Sequence, residues 1–289
     1  MRAQGSLTAE SSAAQRALHT LHAQEPKVFR DPFALGLAGP AWRPILTHRA
    51  SALRFQRCNR WLMPMVAHHL ARARYVEERL ERLEREGLRQ YVLLGAGMNS
   101  FVLRRTRLAR RLAVLEIDHP ATQARKRARL KQLGHTAPAT LEYLGVDFEK
   151  ESLAEGLDRS GFDSDALCLF SWMGVVPYLT KKSFETTLRD ITAQSTPGSE
   201  VVFDTLDRAV FHEARNNPIV RRMREVTRRC GEPLVSGYDP QDMATLLGRC
   251  GLRILEVVTA ADFTARWFAR RKDGLRPWEH IYVVRAVVT

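Results

Sequence analysis

Tyr91-Val92-Leu93-Leu94-Gly95-Ala96-Gly97 carries an apolar run straight into a glycine turn. Glycines at such a turn let the backbone approach a ligand closely, and a helix starting just beyond it offers free N–H groups, so the chemistry indicated is nucleotide binding. A dinucleotide fingerprint needs a third glycine where Ser100 stands, which weakens a pyrophosphate reading. On these residues alone a purely structural turn remains an alternative. The next apolar run ends in Glu116-Ile117-Asp118, about twenty residues on, where a carboxylate at a strand tip accepts both hydroxyls of a ribose. A third run ends in Asp147-Phe148, an acid and an aromatic suited to an adenine's exocyclic amine and ring face. Three consecutive strand tips thus match an adenosine site, which in an open parallel sheet lies outside the carboxyl ends of the strands.

Other reactive residues show no comparable pattern. Cys58, Cys168, Cys230 and Cys250 lie far apart without a C-x-x-C pair or a histidine at ligand spacing, so neither a disulfide framework nor a zinc site is expected. His68, His69, His119, His135 and His212 show no spacing that makes a His–Asp or His–Glu dyad, and a surface or packing role is expected for each. Trp172, Tyr178, Trp267, Phe268 and Trp278 either wall a substrate pocket or pack in the core.

These residues need a scaffold. Residues 8–24 read as a helix capped by Thr8, with Ala13, Ala17, Leu18 and Leu21 along one side, and residues 68–86 as a second, with a Val76, Leu80 and Leu83 stripe ended by Gly87. From there, short apolar runs alternate with helical segments, the pattern of a parallel sheet with crossover helices. Strands are expected at 91–94, 112–117, 141–146, 166–170 and 201–204, and helices near 99–109, 120–133, 150–160 and 181–195. Runs at 252–258 and 281–288 predict an antiparallel closing pair, since 262–279 is too polar and irregular for a crossover helix. One domain, 1–289, is expected, with residues 1–88 as a helical extension on an α/β core, 89–289.

Composition bounds the partners. The 289 residues are 45% hydrophobic and 27% charged, with no apolar run long enough for a membrane helix and no apolar leader after Met1-Arg2, so a cytoplasmic protein is expected. Of the 45 basic residues 38 are Arg, and the net charge is +13. A polyanionic partner such as RNA is one reading; solvated helix faces are the other, because the clusters 104–111, 125–131 and 221–229 are separate and lack interleaved aromatics.

In sum of its motifs the chain resembles the leucine carboxyl methyltransferase-like group of class I S-adenosylmethionine-dependent methyltransferases over nearly its whole length. The likeness runs through Ser6-Leu7-Thr8-Ala9, Arg16-Ala17, Asp31-Pro32-Phe33, residues 72–78, 94–100, 116–120 with Lys126, Asp147-Phe148, residues 172–179, Pro197-Gly198-Ser199 and Gly231-Glu232-Pro233. It implies an α/β Rossmann-like fold, a seven-stranded mostly parallel sheet with one antiparallel strand and helices on both faces, with residues 89–289 as the cofactor-binding core and the helical N-terminal extension, 1–88, as a lid. It further implies S-adenosyl-L-methionine as cofactor, with Arg72 gripping the methionine carboxylate, Gly95, Ala96 and Gly97 forming the turn, Asp118 on the ribose, Asp147 and Phe148 on the adenine, and Ser171 nearby. Two positions depart from the family: Asn99 and Met173 stand where members commonly carry Asp and Glu. A small organic acceptor with an oxygen nucleophile, a carboxylate, is the expected substrate, since a carboxylate needs no general base. Trp172, Tyr178, Trp267 and Arg57 are its candidate contacts, with Arg43 and Arg54 as further grips; residues 205–235 are expected to form a specificity wall and 267–275 to fold over the site. The alternatives are an RNA-modifying enzyme of the same fold and a cofactor-binding protein without turnover.

Overall fold

A computed structural model describes residues 6–148, 150–213 and 217–289. Seven strands form one sheet in the order β3-β2-β1-β4-β5-β7-β6: β1 (Gln90–Leu94), β2 (Ala113–Asp118), β3 (Leu141–Gly145), β4 (Cys168–Trp172), β5 (Glu200–Leu206), β6 (Leu252–Val258) and β7 (Ile281–Val288). β1 to β5 pair in parallel, and β7 runs antiparallel to both β5 and β6. Every residue of β1, β4 and β5 is buried, as expected of strands covered by helices on both faces. The strand order reverses between β1 and β4, which opens a crevice at their carboxyl ends.

The last two strands fall where the apolar runs placed them, whereas β4 begins at Cys168 rather than 166. The Gln90 side chain occupies the carbonyls of Asp163 and Ala166 (2.6 and 3.3 Å), so the ladder starts two residues later. The expected 99–109 helix breaks at Arg105 into Phe101–Arg104 and Thr106–Ala109. Arg104 and Arg105 on either side of the break turn to Glu77 and Glu81 of the long Met63–Arg85 helix. The first helix, Leu7–His22, is capped by Ser6, whose Oγ accepts from Ala9 N at 3.1 Å; Thr8, the expected cap, instead donates its hydroxyl to Glu232.

Sequence periodicity missed several helices between the first and the long one, among them Arg49–Cys58, and the Pro218–Arg229 helix after β5. The first helix packs its Ala13, Ala14, Ala17 and Leu18 face on Leu37, Leu46 and Ala52 in a separate apolar cluster. The segment after β6 forms Ala260–Phe263, with a Thr259–Asp262 capping box, and then a π-helical turn, Thr264–Phe268. Among the described residues no helix is long and apolar enough to cross a membrane.

Candidate active site

A cavity of about 660 Å³ opens at the switch point, within the range of roughly 300–1,000 Å³ typical of small-molecule sites. Its floor is the glycine turn. Gly95 and Gly97 have φ of +66° and +50°, a region that L side chains rarely adopt, and a Cβ at Gly95 would lie 2.3 Å from Val175 Cγ2. Asn99 Oδ1 caps the following turn by accepting from Phe101 N at 2.7 Å, so the oxygen an Asp would supply there is present. Gly97 N and His119 N donate to the two oxygens of Asp118 at 2.6 and 2.7 Å, fixing the carboxylate at the β2 tip. Burial dominates its environment and raises its pKa despite those bonds. Asp147 and Phe148 line the same end of the cavity beyond β3, with Asp147 Oδ2 2.9 Å from Lys150.

Across the crevice, the long helix presents Met65, His69, Arg72, Ala73 and Val76 to the cavity, the three- and four-residue spacing of one helix face. Arg72 NH1 donates to Asp204 Oδ2 at 2.6 Å, and Gly174 N donates to Asp204 Oδ1 at 2.5 Å. A Cβ at Gly174 would come within 2.7 Å of the guanidinium. The same Asp204 oxygen accepts from His68 Nε2 at 3.0 Å, so a buried His–Asp–Arg cluster joins the long helix to β5. This corrects the expectation that the histidines have no acidic partner. Burial works to raise Asp204, but Arg72, His68 and the Gly174 N–H outweigh it and hold its carboxyl well below the usual range. Burial lowers the pKa of His68, and its pairing with Asp204 does not restore it.

Gly95, Ala96, Gly97, Arg72, Asp118, Asp147, Phe148, Ser171 and Tyr178 all line the cavity. Ser171 Oγ lies 2.9 Å from the Tyr91 hydroxyl, and Met173 contributes to the wall. Three expected substrate contacts lie elsewhere. Trp172 is 1% exposed and packs on Phe184, because its position in β4 turns it into the sheet's opposite core. Trp267 stacks on Phe263 at 5.5 Å beneath the Arg74 guanidinium, so the 267–275 stretch covers the flank of the long helix rather than the cavity. Arg54 and Arg57 lie on the Arg49–Cys58 helix and Arg43 on the short Arg43–Leu46 helix, all outside the cavity wall.

The expected 205–235 wall is present in part: Leu206, Met223, Val226, Cys230 and Leu234 form, with Trp61, Met65 and Ile281, an apolar arm of the cavity. Gln15, Arg16 and His69 also reach it and were not anticipated; the only sequence signal for His69 is its spacing of three from Arg72. All four cysteines are free thiols, and among the described residues no cluster of three metal-ligating side chains occurs.

The leucine carboxyl methyltransferase family pattern matches residues 9–192. The chain belongs to the leucine carboxyl methyltransferase family. It is an S-adenosyl-L-methionine-dependent methyltransferase of α/β Rossmann-like fold. It is 35% identical over 218 residues to YktD of Bacillus subtilis (strain 168), covering 75% of this chain and 71% of that one. A Mycobacterium avium (strain 104) protein is 32% identical over 230 residues, with 76% and 70% covered; both are named as S-adenosyl-L-methionine-dependent methyltransferases. The fold matches a DUF574 family protein of Streptomyces avermitilis at a TM-score of 0.60 and 13% identity, over 96% and 97% of the two chains.

Proposed function

We propose that this methyltransferase acts on an oxygen of a small, largely apolar organic molecule. Gly95, Ala96, Gly97, Asp118, Asp147, Phe148 and Ser171 would hold the nucleoside part of the cofactor and Arg72 its carboxylate. The observation that carries the reading is the convergence of the buried Asp118 carboxylate, the glycine turn and Arg72 on one cavity at the sheet's switch point. A Cβ would fill the cradle at Gly95, and Asp118 retains lone pairs for a diol beyond its two backbone donors.

When bound, S-adenosyl-L-methionine supplies an electrophilic methyl group. The protein's part is to seat the acceptor against it, exclude water and fix the reacting oxygen near attack distance. The apolar arm of Met65, Met223, Val226 and Leu234 suits a hydrophobic body. The family's description supports an oxygen acceptor. An arginine grip on a carboxylate acceptor has no such support, since Arg43, Arg54 and Arg57 are outside the wall and Arg16, Arg72 and Arg104 pair with Asp31, Asp204 and Glu77. Residues 6–88, with 205–213 and 217–235, are proposed as the lid, the rest of the expected 1–88 and 205–235 segments lying outside the described residues.

A small-molecule acceptor is further supported by how the basic clusters resolve. Arg105 and Arg111 pair with Glu81 and Glu84, Arg125 and Arg129 with Glu10, and Arg228 and Arg229 with Glu225. Calorimetry with S-adenosylhomocysteine tests the site: Asp118→Ala should weaken binding by about ten- to a hundred-fold, the loss of charged hydrogen bonds of roughly 1.5–3 kcal/mol. Unchanged affinity would place the nucleoside elsewhere. Tight binding of a defined tRNA at physiological salt would favour the RNA enzyme instead.

A further inference from the structure

His69 shares the cavity-lining face of the long helix with Met65, Arg72 and Val76. Its Nδ1 lies 2.7 Å from Gln15 Oε1, and Gln15 directs its amide nitrogen to Ser11 Oγ at 3.3 Å. An amide oxygen only accepts, so Nδ1 carries the proton and donates, leaving the Nε2 lone pair unshared. The groups that face the ring are Gln15 and Arg16 from the first helix, His68 and Arg72 from its own, and Asp204 from β5. Burial, then Arg72, His68 and Arg16, keep the imidazole neutral well below its ordinary range, with Asp204 opposing them.

The charges of the wall bear on what enters. Among the described residues, three cations, Arg16, Arg72 and Arg104, line the cavity, against five carboxylates, Glu77, Asp118, Asp147, Asp204 and Glu232. Each cation is already paired within the protein, and the remaining N–H groups of Arg72 are the carboxylate clamp of the proposed function. A second carboxylate, on the acceptor, would be desolvated beside acids without a cation of its own, which is costly. A neutral hydroxyl meets no such penalty, and His69 offers it an acceptor.

We infer that the methyl acceptor is a neutral molecule bearing a hydroxyl group and that His69 Nε2 accepts the hydrogen bond of that hydroxyl; this rests on the proposed methyl transfer at this cavity. In the step, the hydroxyl oxygen's lone pair forms the bond to the methyl carbon while the carbon–sulfur bond breaks, its electron pair remaining on sulfur as a neutral thioether. The hydroxyl proton passes to Nε2 and then to solvent. The proton on oxygen becomes strongly acidic as the new bond forms, so a base as weak as this imidazole suffices.

Nitrogen-15 NMR of the protein with S-adenosylhomocysteine bound should show His69 as the neutral Nδ1–H tautomer throughout pH 6–9. In the same complex, phenols of one to three fused rings should bind about tenfold or more tightly than the carboxylates of the same rings, and this preference should vanish in His69→Phe. With S-adenosyl-L-methionine, a phenol of the set should give an alkali-stable methyl ether, about a hundred-fold more slowly in His69→Phe, while affinity for S-adenosylhomocysteine stays within about twofold. His69→Gln, which keeps an acceptor, should recover part of the rate. An Nε2–H tautomer, a preference for the carboxylates, or a rate unchanged in His69→Phe overturns the inference. Failure of the parent reading looks different: the wild-type protein then binds no S-adenosylhomocysteine, and this inference falls with it.

Discussion

At the β1–β3 end of the cavity, the functional groups sit at consecutive strand tips and are held by backbone: Gly97 N and His119 N fix Asp118, and positive φ shapes the turn. At the other end, the wall is assembled from the first helix, the long helix and the segment after β5, whose residues are distant in the chain and meet through side chains, as Gln15 does with His69 and Thr8 with Glu232. The proposed cofactor end therefore depends on local geometry that a sheet enforces by itself. The proposed acceptor end depends on how three separate elements are docked, and the Asp204 cluster with His68 and Arg72 is where the two regions are tied.

That tie gives the largest expected effect. Asp204→Ala leaves Arg72 and His68 without their buried acceptor, and denaturant unfolding should show a loss of about 3–5 kcal/mol; Asp204→Asn, which keeps an acceptor, should lose less. A loss below about 1 kcal/mol in the alanine protein would mean that the two regions are held together by other contacts.

Acid should loosen the first helix before the sheet. His19 is 3% exposed, accepts from Val28 N at 3.0 Å through Nε2, and has its pKa lowered from 6.5 to about 4 by burial and Arg271. Because the folded value lies below the unfolded one, the unfolded chain protonates first, so the stability is present above pH 6.5 and is lost as pH falls toward 4. The shift corresponds to at most on the order of 3 kcal/mol. Hydrogen exchange should show the 7–22 amides opening across that window while β1 and β4 remain protected, and His19→Gln should flatten the response. Simultaneous opening of sheet and helix would erase the distinction between the regions.

The smallest effect is expected where the proposed lid meets the segment after β5. Thr8→Val removes the hydroxyl link to Glu232, a partly exposed contact worth about 1 kcal/mol or less. The acceptor's KM should rise a few-fold with S-adenosylhomocysteine affinity unchanged; a matching loss of cofactor affinity would assign this contact to the nucleoside end.

Legibility followed the same division. Gly95, Gly97, Asp118 and Asp147 were readable because a strand-end motif is local, and the strand tips bring it to one crevice whatever the helices do. Trp172 was misread as a pocket wall because alternation along β4 gives two faces, and nothing in Ser171-Trp172-Met173 says which one meets the crevice; burial against Phe184 decides it. Trp267 was misread because a π-helical turn after Phe263 has no clear periodic signature.

By itself the sequence determined the alternating strand and helix order, the two closing strands at 252–258 and 281–288, and the glycine turn after β1, since apolar period, glycine freedom and acid spacing act over a few residues. Only the tertiary structure decided that His68 meets Asp204 across 136 positions and that Gln15 orients His69. Among the described residues, it also decided that every arginine in the cavity wall already has an acid. Such pairings depend on strand order and on the rotation of each helix about its axis, and these are set by the packing of the whole chain rather than by any stretch of it.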